Sequence, residues 1–178
     1  TMDAHEGLVE QDLHLLGQCI DAGRALVIAL NKWDGIESDE RDWIRSELRR
    51  RLQFIDYADI HFISALHGTG VGHLYDSIHG AYESATRKLT TPRLTKLLED
   101  VVGSHPPPMV GGRRVKLRYA HMGGHNPPRI VIHGNSTDNL PQSYVRYLEN
   151  AFRRELDLTG TPIRIELRTG ENPYAGRK

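Results

Sequence analysis

Residues Ala25-Leu26-Val27-Ile28-Ala29-Leu30 run directly into Asn31-Lys32-Trp33-Asp34, and this junction decides how the first half of the chain folds. The run is apolar at every position and bounded by Gly23 and Asn31, as a strand buried on both faces of a parallel sheet must be. Upstream, Leu13, Leu16 and Ile20 recur at helical spacing, and Gly23 follows as a C-terminal cap. Downstream, Ser38 offers an N-cap, and Asp39 and Glu40 complement the helix dipole in the first turn. Trp43 or Ile44, Leu48 and Leu52 then form an apolar face, with Arg45, Arg49 and Arg50 toward water. Ile60-His61-Phe62-Ile63 is a second short strand, and Val71, Leu74, Ile78 and Tyr82 mark the apolar face of a closing helix. Helix, strand, helix, strand, helix with short connections predicts an α/β unit, a parallel sheet with flanking helices.

Composition sets the outer limits. The chain has 178 residues, 38% hydrophobic and 26% charged, with mean hydropathy −0.50. These values describe a globular chain rather than a disordered or membrane-spanning one. The single Cys19 excludes a disulfide framework and a multi-cysteine zinc site. No charged segment followed by an apolar one opens the chain, so the cytoplasm is the expected compartment. The formal net charge of zero hides an asymmetry. Residues 1–88 carry 9 Lys and Arg against 15 Asp and Glu, whereas residues 89–178 carry 14 against 8. A basic second half is suited to a polyanionic partner.

In parallel sheets, ligands bind where strand C-termini meet loops. Asn31-Lys32-Trp33-Asp34 and Ser64-Ala65-Leu66 both sit at such ends, with one helix between them. Together they resemble the guanine-binding NKxD and SAK/SAL elements of Ras-like GTPases. The chemistry agrees with the resemblance. Guanine presents two adjacent donors, N1–H and the C2 amino group, which suit one carboxylate, Asp34. Adenine lacks that pair, and a site built for two donors rejects it. Lys32 would lay its aliphatic stem over the base, Asn31 would tie the loop to its neighbours, and the Ala65 N–H would donate to guanine O6. Guanine contacts are therefore expected from Asn31, Lys32, Asp34, Ser64, Ala65 and Leu66. No Gly-Lys-Ser/Thr phosphate loop surrounds any of the five lysines, and no segment before residue 31 supplies Mg²⁺ ligands or switch regions. The reading therefore places the start of the chain inside a domain, able to position a guanine base but not to hydrolyse a triphosphate alone. No catalytic residue is assigned.

Leu89 to Pro92 reads as a linker, separating residues 1–88 from 89–178. Leu94, Leu97, Leu98, Val101 and Val102 give an amphipathic helix that ends before Pro106-Pro107-Pro108. Val115, Leu117 and Tyr119 alternate with Lys116 and Arg118, predicting a strand with a basic outer face. Residues 123–128 form a loop and Ile130-Val131-Ile132 a second strand. A helix after Leu140-Pro141 presents Tyr144, Val145, Leu148, Phe152 and Leu156, and residues 162–167 form a third strand. The order is α-β-β-α-β, a small α+β module. His121 and His125 are spaced like metal ligands but lack a cysteine or carboxylate partner, so no metal site is assigned. Trp33 and Trp43 read as packing residues, and Gly68-Thr69-Gly70-Val71-Gly72 as a turn into the closing helix.

Arg113-Arg114-Val115-Lys116-Leu117, Asn126-Pro127-Pro128, Gly170-Glu171-Asn172-Pro173-Tyr174 and Ile63-Ser64-Ala65-Leu66-His67-Gly68 resemble the bacterial tandem GTPase family Der, also called EngA. The likeness runs from Asp3-Ala4-His5-Glu6-Gly7 to Tyr174. It implies the back half of the second Ras-like GTPase domain over residues 1–88, followed by the C-terminal KH-like domain over 89–178. It also implies GTP/GDP with Mg²⁺ as ligands, the Mg²⁺ ligands lying outside this sequence. The implied function is a GTP-hydrolysing factor for large ribosomal subunit assembly, with that subunit or its rRNA as partner and neither membrane nor DNA. Candidate RNA or ribosome contacts are Arg113, Arg114, Lys116, Arg118, Arg153 and Arg154, with Arg146, Arg164 and Arg168 beside them. No GxxG occurs in the sequence, which argues against the usual KH clamp on a single strand. Two alternatives stand beside this reading: a non-catalytic docking module for the ribosome or RNA, and a fragment of an Era-like GTPase.

Overall fold

The computed structural model describes residues 1–110 and 112–170, with Arg113 through its backbone alone. They form two compact units: Thr1–Thr86 with Leu158–Pro162, and Arg87–Asp157 with 163–170. Glu171-Asn172-Pro173-Tyr174 of the family-like motif lie outside the described residues.

The first unit contains β1 (Met2–Asp3), α1 (Glu10–Asp21), β2 (Ile28–Asn31), α2 (Ser38–Arg51), β3 (Ile60–Phe62) and α3 (Val71–Thr86). The sheet order is β1-β2-β3, parallel throughout, with Asp3 opposite Asn31 and Leu30 opposite Phe62. The class is therefore α/β with helices around a parallel sheet, as the apolar run predicts. The strand is shorter than the run because the Leu26 N–H leaves the sheet and donates to the Gly160 carbonyl at 2.6 Å. Ile28, Ala29 and Leu30 are buried, and Leu16, Ile44, Leu48 and Leu52 close the core around Ile28 and Leu30. Ile44 rather than Trp43 takes the inward position, leaving Trp43 64% exposed. Glu37 is the N-cap of α2 and Ser38 its first residue, while Arg49, Arg50 and Arg51 complement the dipole at the last turn.

Helix α3 departs from expectation. Its buried residues are Ala81, Ser84 and Ala85, while Ile78 and Tyr82 of the expected apolar face are exposed together with Tyr75. The helix approaches its unit through a narrow strip of small side chains, and no described element covers the larger ones.

The second unit contains α4 (Thr91–Ser104), a short antiparallel pair of β4 (Met109–Val110) and β5 (Arg113–Arg114), β6 (Lys116–Gly124), β7 (Arg129–Asn135), α5 (Gln142–Glu155) and β8 (Arg164–Thr169). The main sheet runs β6-β7-β8, with β6 antiparallel and β8 parallel to β7. Apart from the small hairpin, this is the predicted α-β-β-α-β order. Leu94, Leu98, Ala120, Ile130, Ile132, Leu148 and Phe152 are almost wholly buried and make the core. The Tyr144 and Tyr147 hydroxyls on α5 donate to the His105 and Val101 carbonyls at the end of α4, at 2.6 and 3.1 Å. The His105 carbonyl lies past the last helical bond, and the Val101 carbonyl takes the Tyr147 hydroxyl in addition to the His105 N–H. Burial pushes the Tyr144 hydroxyl up to about 12.

Strict alternation along β6 fails at Arg118. A register shift between Leu117 and Tyr119 inserts one residue, so Tyr119 is exposed and Ala120 takes the buried position. A one-residue bulge moves every following side chain to the opposite face. Gly134, opposite Leu117, fits beside this bulge because it has no side chain: a Cβ there would lie 2.3 Å from the Lys116 carbonyl oxygen and 2.8 Å from Thr137 Cγ2. Gly134→Ala should lower the stability of the second unit by about 1–3 kcal/mol, the usual cost of overpacking. Urea unfolding followed on resonances of 87–157 would reveal it, and an unchanged midpoint would contradict the close approach.

Candidate functional site

Two loops meet at the C-terminal ends of β2 and β3. The sheet ladder continues past the strands, because the Ile63 N–H donates to the Leu30 carbonyl at 2.8 Å and the Trp33 N–H to the Ile63 carbonyl at 3.1 Å. Asn31, the last residue of β2, accepts the Ala65 N–H on its Oδ1 at 2.9 Å. This is the loop-tying role expected of Asn31. It also means that the Ala65 N–H, expected to face a purine O6, already has an intramolecular acceptor, which the base oxygen would have to share or displace.

Lys32 occupies the left-handed region at φ 64°, uncommon for a residue with a side chain. Its ammonium pairs with Asp3 of the adjacent β1. That contact holds the Asp3 carboxyl below and the Lys32 ammonium above their ordinary values. The ammonium is thus directed along the strand ends, toward β1. Asp34 lies in the 3₁₀ turn Trp33–Gly35. A hydrogen bond from the Ser64 hydroxyl holds its carboxyl below the ordinary range, helped by its own backbone N–H and by nearby His67 and His5. Ser64 is 2% exposed, and its Oγ also accepts the His67 N–H at 3.3 Å, so the group that aims Asp34 is itself immobilised. His67 Nε2 stands 3.5 Å from Asp34 Oδ2.

The loop after β3 turns back sharply, with the Ser64 N–H donating to the Thr69 carbonyl at 3.0 Å. Gly70, at φ 76°, allows this turn; a Cβ there would lie 2.8 Å from the Phe62 carbonyl oxygen. Leu66 projects from the loop at 84% exposure and makes the rim of the site rather than its floor. Trp33 is a packing residue: its ring lies 4.3 Å from that of Phe62, and the Arg45 guanidinium covers both rings at 5.4 and 5.3 Å. Arg41 anchors the same loop by donating to the Ile36 carbonyl at 2.9 Å.

Chemically, the site offers an exposed carboxylate, preset by a buried hydroxyl, beside a peptide N–H and an amide. It suits a ligand with paired N–H donors next to an acceptor. The structure brings Asn31, Lys32, Asp34, Ser64, Ala65 and Leu66 to the two strand ends, and beside them Asp3, His5 and His67, to which the sequence pattern did not point. The signal for Asp3 was its place at the start of a family-like DAHEG stretch.

The basic residues of the second unit are less gathered. Arg114, Lys116 and Arg118 are exposed on β5 and β6. Arg153 and Arg154 sit in the last turn of α5, hydrogen-bonded to Asn150 at 3.0 Å and Glu155 at 3.2 Å. The side chain of Arg113 lies outside the described residues.

The fold defines a class: a parallel α/β sheet with two loops joined at its strand C-termini, followed in sequence by a small α+β domain. Residues 88–168 match the family model described as the KH-domain-like region of EngA bacterial GTPase enzymes, C-terminal. All 178 residues align at 64% identity with a protein named GTPase Der from Teredinibacter turnerae and at 66% with one from Pseudomonas putida. Over its whole length the chain is thus similar to proteins of the Der (EngA) family. It spans 38% and 37% of the lengths of those two relatives. A crystal structure of Aquifex aeolicus Era overlaps 94% of the chain and 63% of its own at 21% identity, with a TM-score of 0.39. Overlap that loose adds nothing to the sequence match.

The lowered carboxyl of Asp34 stabilises the folded loop above the ordinary carboxylate range, and that contribution is lost as pH falls through the lowered folded-state value. Ser64→Ala should bring the Asp34 titration back toward the ordinary value. Carboxyl-carbon NMR titration would measure it, and an unchanged midpoint would remove Ser64 from its aiming role.

Proposed function

We propose that this chain is the base-recognising and ribosome-facing part of a GTP-hydrolysing factor that acts in the cytoplasm on assembly of the large ribosomal subunit. What carries this reading is the convergence of Asn31, Asp34, Ser64 and Ala65 at two adjacent strand ends, in a sequence 64–66% identical to proteins named GTPase Der. Asp34 accepts the N1–H and C2 amino donors of guanine, so GTP and GDP are held and adenine nucleotides are left without partners for the carboxylate. Asn31 and Ser64 keep the two loops at a fixed separation, and Lys32 flanks the base while paired with Asp3. Mg²⁺ accompanies the nucleotide in this family, but no residue here is assigned to it or to the phosphates. Recognition of the base is this segment's part in the reaction; hydrolysis needs the phosphate-binding half and does not occur on this segment alone.

The second half serves the partner. Its excess of basic residues, 14 Lys and Arg against 8 Asp and Glu over residues 89–178, suits the phosphates of ribosomal RNA. No helix among the described residues is long and apolar enough to cross a membrane.

In a protein that also carries the phosphate-binding half, Asp34→Asn should abolish hydrolysis of GTP and confer hydrolysis of xanthosine triphosphate. Xanthine replaces the amino donor with a carbonyl, which the asparagine amide can meet. Steady-state rates with both nucleotides decide the matter, and a variant that still prefers GTP would contradict the assignment.

A further inference from the structure

The β6-β7-β8 sheet has a second face, opposite the one that packs on α4. Strand register places Tyr119, His133 and Arg168 in one row across it, and His121, Val131 and Glu166 in the next. The opposite face, with Ala120, Ile132 and Leu167 in register, meets α4, where Thr95 is hydrogen-bonded to Ala120. Tyr119 comes to the open face through the bulge at Arg118.

The rings on this face are organised. Tyr119 and His133 stack with centroids 4.5 Å apart and planes 7° apart. His121 lies 5.2 Å from His133 at 27°, and their Nε2 atoms are 3.1 Å apart. His121 Nδ1 is 3.0 Å from the Met122 carbonyl oxygen. A carbonyl only accepts, so Nδ1 of His121 carries a hydrogen toward it, and the two Nε2 atoms share a hydrogen bond. Burial, with His121 and Arg168 adding to it, holds His133 below its ordinary value and favours the neutral ring. The result is a stacked, hydrogen-bonded aromatic group whose outer member, Tyr119, is still 43% exposed.

Cations border it. Glu166, the acid of these rows, is held by Arg168, whose Nε donates at 2.8 Å, and lies 3.8 Å from Arg129 Nη1. Its charge is thereby answered, while both guanidinium groups remain more than half exposed. Lys116 and Arg118 extend the positive border along β6. Val131, the aliphatic residue of these rows, is 1% exposed, so this face offers rings and guanidinium groups rather than a greasy patch for a helix or strand.

We propose that this face binds an unpaired RNA strand, with a base stacked on Tyr119 and neighbouring phosphates met by Arg168, Arg129 and Lys116. Every base has a π-face, so an aromatic platform bordered by cations takes single strands with little regard for sequence. Duplex RNA hides those faces against one another and loses the stacking contribution. This mode needs no GxxG loop. The choice of RNA rests on the ribosome-facing reading above; the unpaired character of the strand rests on the rings.

The test uses the 178-residue chain and two fluorescein-labelled probes, a short oligouridine and an RNA hairpin without a single-stranded tail, with binding followed by anisotropy. The oligouridine should bind more tightly than the hairpin. Tyr119→Ala should weaken oligouridine binding by about 5- to 100-fold, the range seen when a stacking aromatic is removed. Tyr119→Phe should bind like the unaltered chain, and both variants should keep its melting temperature because the side chain is half out of the fold. Equal oligouridine binding by Tyr119→Ala and the unaltered chain would overturn the stacking face, and would leave the ribosome-facing reading standing if Arg114→Gln with Lys116→Gln still weakened binding. If the unaltered chain binds neither RNA, or is captured by a ribosomal protein instead, both the face and the RNA reading fail.

Discussion

Parallel pairing of β2 with β3 in a single register is the constraint on which the first unit depends. Leu30 opposite Phe62 is the last strand pair, and the ladder then runs on through Ile63 to Leu30 and Trp33 to Ile63. Those bonds bring Asn31 against the Ala65 amide and Asp34 against Ser64. A slip of one residue would take Leu30 away from Phe62 and Asn31 away from the Ala65 amide. The core residues Ile28 and Leu30, packed against α1 and α2, therefore set the site as much as the loop residues do.

The charges at the site are exposed, and exposed ion pairs hold little free energy. Lys32 with Asp3 and His67 near Asp34 are of this kind. What fixes the geometry is the set of peptide bonds between loops and the buried Ser64 hydroxyl, which cost more to break because their partners cannot all turn to water. The hydrogen bond from Ser64 and the nearby histidines keep the carboxyl of Asp34 below the ordinary range, on a side chain that is 40% exposed.

The sequence carried some of this openly and hid the rest for identifiable reasons. An apolar run ending in Asn-Lys-Trp-Asp announces both a buried parallel strand and the loop at its C-terminal end, and the recurrence of a short strand before Ser64-Ala65-Leu66 supplies the second loop. Asp3 was not legible as the partner of Lys32, because a two-residue strand has no periodicity to reveal its neighbour. Helix α3 misled because its apolar stripe implies burial, whereas the packing runs through Ala81, Ser84 and Ala85. The open face of the second sheet was hidden by the Arg118 bulge: strict alternation assigns Tyr119 to the core, and only the register shift turns it outward beside His133. Simple periodicity finds elements well and fails where a single inserted residue changes the face.

The central claim is that the ends of β2 and β3 together select guanine. The most direct measurement is a ¹H–¹⁵N titration of the 178-residue chain with guanosine monophosphate and, separately, adenosine monophosphate. Shifts confined to the amides of 31–35 and 64–67, and seen with the guanine nucleotide alone, are the predicted result. Equal responses to the two nucleotides, or guanine-dependent shifts centred elsewhere in the chain, would contradict it.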